Sequence, residues 1–218
     1  MNKRQRCFIV GCVVFFGCDV GTPSNATIQL PQLNAVDESL PNVTHPEYAN
    51  WSQFAEKSFV VRKRVVSNAG GNVLVTTKSW LEKKDENGVS VGSRVTVERP
   101  NEPIVENDDD FVSYPPTYRL PKGMDPASFA QPSSKAKETG TEMIQIGERK
   151  IETKIFEWEE RNETGPMSVK LWRSDDIPGK IVRQEMFTKS TDTKSVEEVT
   201  EFDSGSVVTA DLERSRQE

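Results

Sequence analysis

The residues able to do chemistry in this chain are few and unevenly placed. One histidine, His45, stands in a proline-rich segment, and all three cysteines, Cys7, Cys12 and Cys18, fall near the N-terminus. A histidine-activated nucleophile therefore has no partner pair to draw on, and the imidazole–thiolate sets that hold zinc are missing too. Carboxylates are plentiful. Asp175-Asp176 lies in a turn, Glu157, Glu159 and Glu160 fall on a strand, and Glu106-Asn107-Asp108-Asp109-Asp110 forms an acidic run. Adjacent acids on a strand point to opposite faces and acids in a turn are solvated, so neither arrangement alone moves a pKa into working range. The acidic run has the oxygen ligands that calcium takes, but neither the spacing nor the bend glycine of an EF-hand loop. It reads as a solvated loop. The chain reads as a protein without catalysis, cofactor or metal, with a carboxylate-dependent hydrolase as the least favoured alternative.

Aromatic residues are the second class of candidates. Trp80, Trp158 and Trp172 fall on or near strands, and Tyr48, Trp51 and Phe54 recur every three residues, the spacing of one face of a short helix or turn. Tyr114 and Tyr118 stand in a proline-rich connection. These rings fit a core of cross-strand aromatic pairs; they also fit the lining of an apolar cleft. Trp51, Trp80, Tyr114, Tyr118, Trp158 and Trp172 are the candidate lining for a lipid or other apolar ligand.

Location is written in the N-terminal segment. Residues 1–18 have a basic start, Lys3, Arg4 and Arg6, and an apolar core from Cys7 to Phe16. That core is far short of the ~20 residues of a membrane-spanning helix and has the form of an export signal. Its end, Val14-Phe15-Phe16-Gly17-Cys18, resembles a bacterial lipoprotein signal, with a small residue directly before a cysteine. Phe15 and Phe16 depart from that pattern, which favours Leu and then a small residue. The resemblance implies that Cys18 takes a diacylglycerol and becomes the new N-terminus. Two acyl chains, at ~0.8 kcal/mol per buried CH₂, hold a protein on a membrane where one chain is marginal. The competing expectation is cleavage after Ser24-Asn25-Ala26 and a soluble periplasmic or secreted protein.

With 218 residues and a net charge of −6, more acidic still without the leader's three bases, the chain excludes nucleic acid as a partner. Its partners are then a membrane, through the lipid, and an apolar ligand or an envelope protein. With its cysteines all in the leader, the mature domain has no disulfide framework and rests on its core.

The elements that must position these residues read as short strands. Residues 19–45 form a Pro/Asn/Thr-rich tether, disordered by composition. Residues 46–205 form a single antiparallel β domain. In its first meander, 46–99, the strand Ser58–Val66 places Phe59, Val61 and Val65 on one face and Arg62 and Arg64 on the other. A strand from Val73 to Leu81 follows. An Asn87-Gly88 turn then leads into Val89–Val97, where Val89, Val91, Val95 and Val97 alternate with polar residues. Residues 100–139 are a Pro-rich loop with a short edge strand at Phe111–Tyr114. The second meander, 140–205, carries four strands between Gly140 and Phe187, with turns at Gly147, at 162–166 and at 175–179, and a last strand from Lys194 to Asp203. Residues 206–218 read as a frayed tail.

Within that meander, Leu171-Trp172-Arg173-Ser174-Asp175-Asp176-Ile177-Pro178-Gly179-Lys180-Ile181-Val182-Arg183-Gln184-Glu185-Met186 resembles a hairpin of small bacterial cell-envelope lipoproteins. It is also faintly similar to the LolA-like lipoprotein-carrier half-barrels. The resemblance covers about a fifth of the chain, and it departs from the carriers in the Pro-rich middle and the absence of a long helix. It implies a curved antiparallel sheet able to wrap a helix or an apolar ligand. The expected fold is thus mainly β: two meander halves in a half-barrel-like sheet, a long Pro-rich connection and little helix. The expected function is a structural or binding role in the envelope, with a periplasmic carrier of lipid on the concave face as the alternative.

Overall fold

A computed structural model of the protein describes residues 42–120 and 131–205. The leader with Cys18, the tether up to residue 41, residues 121–130 of the Pro-rich connection and the tail from residue 206 lie outside the described residues. The elements are, in order, β1 (Asn42–Thr44), α1 (Pro46–Trp51), β2 (Phe59–Asn68), β3 (Gly71–Asp85) and β4 (Gly88–Glu98). Then come β5 (Val105–Glu106), β6 (Asp110–Tyr114), β7 (Thr117–Arg119), β8 (Lys137–Ile146) and β9 (Arg149–Asn162). The chain continues with β10 (Gly165–Arg173), β11 (Ile181–Thr188) and β12 (Thr193–Asp203).

One antiparallel sheet of ten strands runs β5-β4-β3-β2-β12-β11-β10-β9-β8, with β6 also pairing with β4. It is an open path with β8 at one edge, so the sheet does not close into a barrel. The last strand, β12, pairs with β2 along nearly its whole length and joins the two meanders into one surface. β1 and β7 form a separate two-stranded ribbon.

The turns follow local chemistry. Gly88 closes the β3–β4 hairpin at φ +138, and a Cβ there would come within 2.1 Å of the Tyr114 carbonyl oxygen, so only glycine fits. Gly165 turns β9 into β10 at φ +125.

The pairing register makes one face of the sheet continuous. Val60, Arg62, Arg64 and Val66 of β2 share it with Val73, Val75, Thr77 and Ser79 of β3. Val95 and Val97 of β4 extend it on one side, Ser195 and Glu197 of β12 on the other. This is the inner face. The face of β2 that carries the arginines therefore turns inward, and Phe59, Val61 and Val65 turn outward. Two arginines can sit inside because distant residues supply acceptors for them.

The main core collects Trp51, Phe54, Val60, Leu81, Val89, Ile146, Ile151, Trp172, Ile177, Val182 and Val199. A second cluster, Met167, Val169 and Met186 with Trp158 against it, lies further along β10 and β11. Strand β9 serves both and changes phase to do so. Ile151 and Thr153 are buried and Ile155 is half-buried, but beyond that point the even positions Phe156 and Trp158 are the sheltered ones. The cause is length. β10 ends where Arg173 faces Lys154, so the β8–β9 hairpin runs on past its neighbour and packs its opposite side on the core.

The short helix α1 is held at its start by His45. The backbone N–H of Glu47 donates to His45 Nδ1 at 3.1 Å, while the ring lies 5.2 Å from that of Tyr114 and 5.8 Å from that of Tyr118. Accepting at Nδ1 requires a neutral imidazole, and burial lowers its pKa from 6.5. Tyr114 and Tyr118 are the titratable side chains in ring contact with it, and Glu47 meets it through its backbone N–H. A histidine whose folded pKa lies below its unfolded value contributes stability above the unfolded value and loses it as pH falls through the folded one. The stability of the parent is therefore expected to fall as the pH drops from neutrality through that range. A His45→Asn variant, which keeps a capping acceptor that does not titrate, is expected to show no such loss. Urea midpoints across the range check this. The carboxylates held low by their partners, Asp85, Asp109 and Asp175, lose their contribution at more acid pH, as it falls through their ordinary value of 3.8 toward their lower folded ones.

Candidate binding surface

The inner face is fully buried at one end and carries a half-buried row of valines toward the other. Three core side chains, Trp51 from α1, Phe54 just after it and Ile177 from the loop joining β10 to β11, are at most 6% exposed. They cover the sheet around Val60, Leu81, Val182 and Val199.

Arg62 locks that loop in place. Its Nη2 donates to the Pro178 carbonyl at 3.1 Å and its Nε to that of Ile181 at 3.3 Å. Gly179 must be glycine for this contact, since a Cβ there would approach Arg62 Nη2 to 2.9 Å. Burial lowers the Arg62 pKa, with Glu197 opposing that shift. The next arginine on the same face, Arg64, donates from Nε to Glu197 Oε2 at 2.7 Å, and its Nη2 also pairs with that oxygen.

Beyond Arg64 the face changes character. Val66, Val73, Val75, Val95 and Val97 are each half-buried and lie on neighbouring strands of the same face. Ser195, 2% exposed and opposite Val66, has no hydrogen-bond partner for its Oγ. Met186 and Val169 continue the row, and Trp158 ends it. Among the described residues the five valines thus form a half-buried apolar strip beside the Arg64–Glu197 pair, which passes into the buried Met186 and Val169. A separate open cleft of about 500 Å³ lies at the filled end, between Phe54, Ile151, Phe202 and Asp175. Arg149 stands over the Phe202 ring at its mouth, 5.0 Å from the centroid.

The carboxylates singled out by sequence do not assemble. Asp175 pairs with Lys180 at 2.8 Å, which holds its pKa below the ordinary carboxylate value. A general acid needs the reverse shift. Glu157 pairs with Lys170 at 2.9 Å, and Glu160 accepts from Trp158 Nε1 at 3.2 Å. In the acidic run, Asp109 binds Arg94 at 2.7 Å and Glu106 stands 3.5 Å from the same guanidinium. Among the described residues no group of three or more His, Cys, Asp or Glu could hold a metal.

The six aromatic candidates are dispersed. Trp51 and Trp172 are core residues, 3% and 5% exposed. Trp158 flanks the open strip on the second cluster. Tyr114 packs against the main core, and Tyr118 lies on His45. Trp80 sits opposite Gly92 on the outer face. Cys18 lies outside the described residues. The half-buried valines, which the structure brings together, were missed as a group, although the clean alternation of β4 was their signal.

No family model matches the chain, and no curated protein does. Solved structures match it at low identity. A protein of Parabacteroides distasonis assigned as a lipoprotein is 14% identical over 68% of this chain and 96% of its own, with a TM-score of 0.38. MucB in complex with MucA is 14% identical over 76% of this chain, with a TM-score of 0.43; this chain spans 55% of that one. A domain of Vibrio parahaemolyticus assigned to outer-membrane lipoprotein sorting is 10% identical over 78% of this chain and 94% of its own, with a TM-score of 0.28. With each TM-score below 0.5, these neighbours carry no conclusion about ligand or partner.

Proposed function

We propose that this protein is an exported envelope domain, anchored through Cys18, that binds an apolar ligand on the open end of its concave face and performs no catalysis. The observation that carries the reading is the strip Val66–Val73–Val75–Val95–Val97, five valines on neighbouring strands that stay half-buried between the two buried clusters of the inner face. Burying such side chains fully is worth about 1.5–3 kcal/mol each, so a strip left half open favours an occupant. The paired, ionised state of Asp175 supports a role without acid–base work. Export and anchoring are supported by the leader, whose Gly17-Cys18 ending resembles a lipoprotein signal.

Native mass spectrometry of the purified protein tests the ligand. Co-purifying acyl chains, lost in a Val75→Glu variant that puts a charge into the strip, are the expected result. A protein that is ligand-free from cells and takes up no fatty acid in vitro would instead be an interaction module. That second reading is favoured by the loop and helix that already fill one end of the face. For the anchor, Cys18→Ala is expected to abolish palmitate labelling and release the protein in soluble form. Unchanged membrane retention would sink it.

A further inference from the structure

The outer face carries an arrangement that the concave strip leaves unused. Phe59, Trp80, Gly92 and Phe111 stand opposite one another on β2, β3, β4 and β6, one row across four adjacent strands. A Cβ at Gly92 would lie 2.3 Å from Cε2 of Trp80 and 2.4 Å from its Cζ2. The indole therefore lies down on the glycine and turns its other face outward. Its Nε1 donates to Glu82 Oε2 at 2.8 Å, which fixes the ring in that plane. Phe111, 50% exposed, stands beside it at 5.8 Å with an interplanar angle of 87°. The pair makes a flat floor with an upright wall.

Polar side chains border the row on both sides. Lys78 and Arg94 face each other on one side, with Lys78 Nζ 4.7 Å from the centroid of the Phe59 ring. Ser90 and Ser113 face each other on the other side, beyond which β3 carries Glu82. This border mixes donors and acceptors and has no dominant sign.

Such a surface complements a ligand with a flat apolar face and hydroxyls around its edge, as a pyranose has. Its axial C–H bonds meet the π face and its hydroxyls meet the border. Other occupants fit less well. The chain's net charge of −6 opposes anionic polymers and anionic membrane surfaces. A quaternary ammonium is held by rings on several sides, and here there is one floor and one wall.

We propose that the Trp80–Phe111 platform is a binding site for a neutral pyranose glycan, separate from the concave strip. The full chain, labelled with nitrogen-15 at its tryptophan indoles, is titrated with cellohexaose and with chitohexaose, and separately with phosphatidylethanolamine–phosphatidylglycerol vesicles. At least one sugar is expected to move the Trp80 N–H signal and leave that of Trp172 still. Trp80→Ala and Phe111→Ala are each expected to weaken binding by about tenfold or more. Phe111 is half exposed, so its variant keeps the test valid if Trp80→Ala fails to fold. Val75→Glu, aimed at the concave strip, is expected to leave the sugar response intact, so failure of that strip's assignment is separable from failure of this one. No signal movement with either sugar up to its solubility limit overturns the proposal. So does sugar binding unchanged in both platform variants. Vesicle binding that depends on Trp80, without sugar binding, assigns the platform to a membrane and overturns it as well.

Discussion

Trp172→Ala is expected to lower the unfolding free energy by about 3–5 kcal/mol, the range for removing a large buried aromatic. The ring is 5% exposed and belongs to the main core. Lys170 Nζ lies 5.1 Å and the Arg183 guanidinium carbon 5.2 Å from its centroid, so truncation removes cation–π contacts as well as apolar burial. The indole Nε1 donates to Glu142 Oε2 at 2.7 Å, tying β10 to the edge strand β8, two strands away. Trp172→Phe separates these contributions. It keeps most of the buried area and gives up the hydrogen bond, so a loss of about 1–2 kcal/mol is expected. Urea denaturation of the two variants measures both. A Trp172→Ala protein as stable as the parent would remove the residue from the core and return it to the ligand-binding candidates.

Arg62→Ala carries the second large effect, a loss of about 3 kcal/mol, because two part-buried carbonyls, one in the loop and one at the start of β11, lose their shared donor together. Those carbonyls, of Pro178 and Ile181, flank the turn that brings Ile177 into the core. Arg62→Lys is expected to rescue little of the loss. An ammonium is a point donor and cannot span two carbonyls with the fixed fork of a guanidinium. Hydrogen exchange supplies a second measurement. The Lys180 amide, which donates to the Ile177 carbonyl at 2.7 Å, is expected to lose protection in Arg62→Ala before the amides of β3 and β4 do. A uniform loss of protection throughout the sheet would mean that the arginine supports the whole domain instead of the loop.

Strand existence and the turns between strands were legible because they depend on near neighbours. The Asn87-Gly88 turn, the glycine at 147 and the Asp-Pro-Gly reversal at 175–179 each stop a strand by backbone conformation alone. The alternation of Val89, Val91, Val95 and Val97 also survives folding unchanged. For β2 the alternation was visible but its orientation was not, since Arg62 and Arg64 become inward-facing only through acceptors at Pro178, Ile181 and Glu197, more than a hundred residues away. The phase change within β9 has no local signal either, because it arises from where β10 ends. The seat of Trp80 had a partial signal. A lone glycine, Gly92, interrupts the most regular strand in the chain, and an isolated strand glycine marks a close approach.

The sequence by itself thus determined a mainly β domain and its hairpins, since composition and turn geometry need no tertiary partner. Tertiary structure alone decided that β12 closes onto β2. It also decided that the β10–β11 loop fills one end of the inner face, and that six aromatic candidates scatter over core, rim and outer face. These outcomes depend on pairing between strands far apart in the chain, and a period-2 pattern says which residues share a face without saying which face turns inward.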